Sequence, residues 1–321
     1  NNIGDEGATA IGRNKFWKNL EELGLSSNNI GDIGASSIAE NTTWRGLKIL
    51  SLDLNKIGDT GVAALGKNEV WVKLEELVLS FNQIGDIGIK AIAQNTTWKN
   101  LKKLYLLMNK IGYTGAEALS KDETWVNLEE LLLIDNEIGD LGIKVIAQNT
   151  AWKKLKRLNL GGNQIGDAGA EALGKNESWD NLEELMLDNN QIGDAGIKAI
   201  AQNTTWKNLK MLNLAVNQIG DAGAVALGKN ESWDNLEELM LDNNQIGDLG
   251  IKAIAQNTTW KNLKWLDLTR NQIRDAGAEV LGKNCSWVNL THLDLSKTNI
   301  GIEGGKAIGS NTVWTHLQEL D

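Results

Sequence analysis

The sequence predicts a right-handed α/β solenoid of about 12 units of 27 residues, curved as a horseshoe, with a parallel sheet on the concave face and helices on the convex face. Three observations carry that expectation. Twelve tryptophans, from Trp17, Trp44 and Trp71 through to Trp314, recur at a spacing of 27 residues, and only Trp265 lies off the lattice. Between them, segments such as LEELMLDNNQI at Leu182 place leucines with period two, and segments such as GDAGIKAIAQN at Gly193 change to helical spacing. No proline interrupts either pattern in 321 residues. An unbroken period of this size means that each unit contacts only its neighbours, so a single elongated domain over 1–321 is expected rather than several globular ones. The chain starts at Asn1 and stops at Asp321 inside repeats, and so reads as a fragment lacking terminal caps.

Each element has a local reason. Leu185 and Leu187 point to one face of a strand, and stacked units bury such residues as a ladder about 4.8 Å apart. Asn190 follows in the turn, where a buried amide can satisfy backbone groups that no sheet partner reaches. Asp194 is expected to cap the helix that it opens, because a carboxylate suits the positive helix end. Tyr113 and Ile302 replace that aspartate, so the helices they open should start less sharply. The helix then buries Ile197, Ala199, Ile200 and Ala201 and exposes Lys198 and Gln202. The tryptophan column fills the corner between helix and returning strand; aromatics on a regular lattice are core residues.

Complete L-x-x-L-x-L-x-x-N-x-I segments begin at Leu20, Leu47, Leu74, Leu101, Leu128, Leu155, Leu182, Leu209, Leu236 and Leu263, and the segment at Leu290 departs with Thr298 in place of Asn. This pattern resembles the leucine-rich repeat, and the following GDAGAEALGKN resembles its ribonuclease-inhibitor-like class. The resemblance implies a strand and a helix per unit and a concave face open to a partner. Members of that class act as nuclease inhibitors, immune sensors, GTPase activators and pathogen effectors, so it implies a fold far more than a ligand.

A second period lies inside the first. Strand entries alternate Glu75-Glu76, Lys102-Lys103, Glu129-Glu130, Lys156-Arg157, Glu183-Glu184, which makes the full repeat 54 residues. Adjacent strands set equivalent side chains side by side, and alternation turns each repulsion into an attraction. Exposed pairs of this kind contribute about 0–1 kcal/mol, so their main effect is on register.

Composition excludes several function classes. A net charge of −10 and a pI near 4.9 leave no basic stripe for nucleic acid or an anionic membrane, while a basic protein partner fits. No stretch approaches the roughly 18 apolar residues of a membrane span, and neither a span nor a charged-then-apolar leader is expected. The lone Cys285 fits a reducing, cytoplasmic setting. Against it stand eight N-x-Ser/Thr sequons, among them Asn41, Asn95, Asn203 and Asn257, which keep secretion in view; most recur at the one loop position before the tryptophan.

Motifs that resemble chemistry fail on context. GVAALGK at Gly61, GAEALGK at Gly169, GAVALGK at Gly223 and GAEVLGK at Gly277 begin a phosphate-loop pattern, but none continues into Ser or Thr and all fall along helices. The Glu-Glu pairs recur in alternate units, unlike a singular acid-base pair. His292 and His316 occupy different columns and have no partner at metal-ligand spacing. Nothing orients a base beside Cys285, and Ile192 spoils the calcium-loop echo in DNNQIGDAG. No catalytic residue, cofactor or metal is expected, and the chain does not read as an enzyme.

Recognition is expected on the outward columns of the strands. Leu54, Val78, Phe81, Tyr105, Leu107, Met108, Leu132 and Ile134 should merge into one apolar patch, with Glu76, Lys103, Glu130 and Arg157 as its polar rim. A second group combines Met186, Met211, Met240 and Trp265, where an aromatic ring stands in place of a charge. The resulting expectation is a non-enzymatic scaffold for a protein or peptide ligand. The alternatives are a GTPase-activating or other regulatory partner of an enzyme and a self-assembling structural segment; the oligomeric state is not encoded legibly.

Overall fold

Alternation of apolar and polar residues lasts only a few positions in each repeat, so each strand is short; the Ala-, Ile- and Gly-rich run that follows closes about two turns of helix. A computed structural model describes residues 1–121 and 123–321. The described residues fall into two units, 1–159 and 160–321. The first holds α1 (Gly4–Gly12), β1 (Glu22–Gly24), α2 (Asp32–Ala39), β2 (Ile49–Ser51), α3 (Asp59–Gly66), β3 (Glu76–Val78), α4 (Asp86–Ala93), β4 (Lys103–Tyr105), α5 (Tyr113–Ser120), β5 (Glu130–Leu132), α6 (Gly139–Ile146) and β6 (Arg157–Asn159). The second holds α7 (Asp167–Gly174), β7 (Glu184–Met186), α8 (Asp194–Ala201), β8 (Met211–Asn213), α9 (Asp221–Gly228), β9 (Glu238–Met240), α10 (Asp248–Ala255), β10 (Trp265–Asp267), α11 (Asp275–Gly282), β11 (His292–Asp294), α12 (Ile302–Gly309) and β12 (Glu319–Leu320).

Within each unit the strands pair in parallel and in chain order. Leu23, Leu50, Leu77, Leu104, Leu131 and Leu158 stand in register across the first unit. Leu185, Leu212, Leu239, Leu266, Leu293 and Leu320 do so across the second. Strand leucines, helix residues such as Ile197 and Ile200, and the lattice tryptophans form the core of these solenoid units. Ala199, expected inside, is only half-buried.

Ten lattice tryptophans, Trp44 to Trp287, are fully buried; Trp314 is nearly so, whereas Trp17 is exposed. Each indole is therefore covered mainly by the repeat before it. Their buried N–H groups find no acceptor among the described residues from Trp44 to Trp314. Buried indoles usually find one, so this column is occupied for ring size rather than for its donor.

Two asparagines per repeat tie each coil to the previous one. Asn190 donates to the carbonyls of Leu160, Leu187 and Asp188 and accepts from the N–H groups of Asn163 and Ile165. Thr298, in the departing unit, keeps a single bond to the Leu295 carbonyl. Asn203, before the tryptophan, donates to the carbonyls of Gly174 and Asn176 and accepts from Thr205 and Trp206. Asn41, Asn95 and Asn257 are buried in the same way.

The helix starts correct the expectation from sequence. Asp194 does not cap its own helix; Gly193 occupies the cap position and no side chain bonds there from within α8. The Asp194 carboxylate instead accepts from Gly220 and Gly223 N–H of the next repeat, both at 2.8 Å. The glycine in D-x-G makes room for it: a Cβ on Gly196 would lie 2.8 Å from the Asp167 carboxylate. Consequently α5 and α12 start regularly despite Tyr113 and Ile302, because Asp86 and Asp275 bond Gly112 and Gly301 N–H at 2.7 and 2.6 Å. The missing carboxylate is felt one repeat later. At α6, after Tyr113, the cap residue Ile138 turns helical and Gly139 takes a left-handed φ of +61°.

Candidate functional site

With the leucine ladder turned inward, the intervening residues of the first unit face outward in three rows. Val78, Tyr105 and Leu132 stand in register on β3, β4 and β5 and are half-buried. Leu107 and Ile134 follow one alternation later, also half-buried. Leu54, Phe81 and Met108 form the third row and are 49%, 41% and 46% exposed. Their N–H groups donate to the Ser80, Leu107 and Ile134 carbonyls at 2.9, 2.7 and 2.8 Å, so each sits one strand spacing from the next.

That third row has a backbone peculiarity. Leu54, Phe81 and Met108 take left-handed φ values of 56°, 56° and 48°. A residue with a Cβ pays a steric penalty there, which asparagine and aspartate offset best. The equivalent positions in other repeats hold Ser27, Asp135, Gly162, Asn189, Asn243, Arg270 and Lys297, with Val216 as a single further apolar residue.

Charges frame the patch. Lys103 lies 3.4 Å from Glu130 and 3.9 Å from Glu76. The Tyr105 hydroxyl donates to the Glu130 carboxylate at 2.6 Å, which fixes the ring across its neighbour. Burial, then that carboxylate, holds the phenol well above its ordinary value. Around them, Lys102–Glu75 and Lys156–Glu129 pair at 2.8 Å between adjacent repeats, as the charge alternation requires.

The second unit presents other chemistry on its strands. Trp265 is 41% exposed and stacks on His292, with ring centroids 5.1 Å apart. Met211 and Met240 are half-buried, but Met186 is buried and does not belong to an exposed group with them. His292 was not singled out as a partner of Trp265 from sequence, although the two lie one period apart in the same column. The left-handed row was equally invisible, since leucine, phenylalanine and methionine do not announce positive φ.

A model of the leucine-rich repeat matches residues 1–12, 18–39, 47–66, 72–93, 99–120, 153–174, 181–201, 207–228, 235–255, 261–282 and 288–309, together more than half of the chain. The chain belongs to the leucine-rich repeat family. The one repeat left unmatched contains β5 and α6, where the helix start is irregular. Among solved leucine-rich repeat structures, an internalin from Listeria monocytogenes is similar at 23% identity and a TM-score of 0.57, covering 99% of this chain and 94% of that one. The Arabidopsis receptor kinase HAESA, solved with the peptide hormone IDA and the co-receptor SERK1, is similar at 22% identity and a TM-score of 0.55, covering 97% of this chain and 47% of that one. At such identities the likeness is one of fold. No curated protein sequence gives a match.

The motifs rejected on context fall where a leucine-rich repeat places them. The four G-x-x-x-x-G-K segments begin inside α3, α7, α9 and α11. Cys285 is an exposed free thiol. Among the described residues, no group of three or more His, Cys, Asp or Glu is arranged to hold a metal, and no helix is long and apolar enough to cross a membrane. Open grooves of about 720 and 640 Å³ run along the helix face over α3 and α9, lined by alanines such as Ala63 and Ala226, by charged residues, and by the exposed Ile87 and Leu249 respectively. Each groove has one such large aliphatic residue and no aromatic one, whereas the strand face sets Phe81 and Tyr105 among several aliphatic side chains.

Proposed function

We propose that this leucine-rich repeat chain is a non-enzymatic scaffold that holds a protein or peptide on its strand-lined face, the concave one in a solenoid, with the apolar patch of the first unit as contact surface. The observation that carries this reading is the left-handed row. Leu54, Phe81 and Met108 are exposed in a conformation that costs residues with a Cβ roughly 1–2 kcal/mol. Elsewhere in the chain the same position is apolar only at Val216 and otherwise Gly or polar, so stability alone does not account for three successive large apolar side chains. Strained positions cluster at ligand-binding surfaces, and aromatic and aliphatic anchors in a contiguous apolar area are the usual core of an interface. The peptide hormone held in the HAESA complex supports the ligand class by analogy of fold. Burial of Asn41, Asn95, Asn203 and Asn257 weakens the case for secretion that their sequons make.

The test is capture of partners from host lysate by wild type and by the triple variant Phe81→Ala, Tyr105→Ala, Leu132→Ala, with folding followed by circular dichroism. The reading expects one or more partners lost from the variant at unchanged dichroism. Retention of every partner, or equal loss with the helix-face variant Ile87→Ala, Leu141→Ala, would overturn it.

A further inference from the structure

The strand face of the second unit differs in both ring content and charge. Trp265 opens β10 in register between Glu238 of β9 and His292 of β11. His292 braces the indole by stacking at 25° between ring planes, and itself lies 3.6 Å from Glu319. The ring is thus held upright on the sheet while still open to solvent. Beside it, Met240, Asp267 and Asp294 stand in one register row. Glu238 donates its backbone N–H to the Lys210 carbonyl at 2.9 Å, and its carboxylate has no hydrogen bond or ion pair among the described residues. Of the nearby cations, Lys264 pairs with Glu237 at 2.6 Å and Arg270 donates to Asn243 at 3.1 Å, while Lys297 acts on Asp294 at the far end of the row.

We propose that this face docks a basic segment of a partner protein, with one Lys or Arg side chain lying over Trp265 and its charge against Glu238 and Asp267. The inference rests on the strand-face reading above and names the chemistry of one partner region. A cation over an indole is attracted by the ring quadrupole, most strongly where water is partly excluded. The adjacent carboxylates complete the charge match. Burial and like charges push the Glu238 and Asp267 carboxyls above their ordinary range, an unfavourable crowding that an arriving cation relieves. Met240 can adapt to the aliphatic stem. The occupant is an extended segment rather than a single small cation, because the carboxylates recur strand by strand, about 4.8 Å apart, along the sheet.

The test is fluorescence anisotropy of a labelled hexa-arginine peptide on the full chain at about 0.15 M salt, with labelled hexa-glutamate as the sign control. Trp265→Ala is expected to weaken hexa-arginine binding roughly 3- to 30-fold, Trp265→Phe to retain most of it, and Glu238→Gln with Asp267→Asn to weaken it about tenfold or more. The helix-face variant Glu171→Gln, Glu279→Gln removes the same charge and should leave binding unchanged. An equal loss in that variant, unchanged binding after Trp265→Ala, or no hexa-arginine binding by wild type would overturn the proposal. The first-unit triple variant separates the two readings. If it loses its lysate partner while Trp265→Ala still binds hexa-arginine normally, the scaffold reading stands and this inference falls. If the triple variant keeps every partner while Trp265→Ala loses hexa-arginine, the apolar patch is the reading that fails.

Discussion

The two units place their departures from the common repeat at different points. In the first, they sit mostly at turns and helix starts: Leu54, Phe81 and Met108 put large apolar side chains on a left-handed position that repeats of both units share, and Tyr113 deprives α6 of its carboxylate. In the second, Val216, Thr298 and Ile302 also depart at turns and a helix start, yet α8 to α12 are all capped from the preceding repeat, and the departures that change the surface chemistry lie on the strands, as Trp265, His292 and a crowd of carboxylates. The core columns are alike in both. The difference teaches that a solenoid separates its tasks by column: leucine, asparagine and lattice tryptophan hold the coils, and the outward columns vary without breaking them.

The largest expected effect tests that separation within one stretch of chain. Trp260 is buried on the lattice and Trp265 is exposed off it. Trp260→Ala should cost about 3–5 kcal/mol in urea unfolding, whereas Trp265→Ala should stay within about 0.5 kcal/mol. Similar losses at both positions would erase the distinction between core and recognition columns.

The next effect sharpens the contrast at the turns. Phe81→Asn should raise stability by about 1 kcal/mol through relief of the left-handed strain while weakening partner capture. A variant that is both less stable and still able to bind would mean that Phe81 serves the fold. Smaller again, Tyr113→Asp should supply the missing carboxylate to Gly139 and Gly142, stabilise by about 0.5–1 kcal/mol and slow hydrogen exchange at the start of α6. No change in that exchange would contradict the inter-repeat cap.

The smallest effect belongs to the acidic strands of the second unit. The Asp267 carboxyl is raised by burial and by Asp242 and Asp294, so the folded chain binds its proton more readily than the unfolded one. Stability therefore falls as pH rises from the ordinary aspartate range through the raised value, and stays lower above it. Asp267→Asn should unfold at slightly higher urea than wild type near pH 7, with the difference gone near pH 3. A variant destabilised at neutral pH would show that this carboxylate is needed by the fold.

Much of the architecture was legible because period and alternation are properties of residue type alone. Leu185, Asn190 and Trp206 are placed by spacing, and burial follows. The cap was misread at Asp194 because a sequence shows which residue stands nearest a helix start along the chain, while stacking brings a carboxylate from 26 residues away closer still. The apolar strand rows were readable from alternation, but the strain at Phe81 was not, since positive φ there is imposed by the turn and not by the side chain. The Trp265–His292 stack needed the register, which the 27-residue period supplies once the two columns are compared.

Hydroxyl-radical footprinting of the full chain with and without its captured partner addresses the central claim most directly. Phe81, Tyr105 and Met108 on the strand face should become protected, while Tyr113, exposed at the start of α5, keeps its free oxidation rate. Protection of Tyr113 with the strand-face residues unchanged would place the partner on the helices and contradict the account.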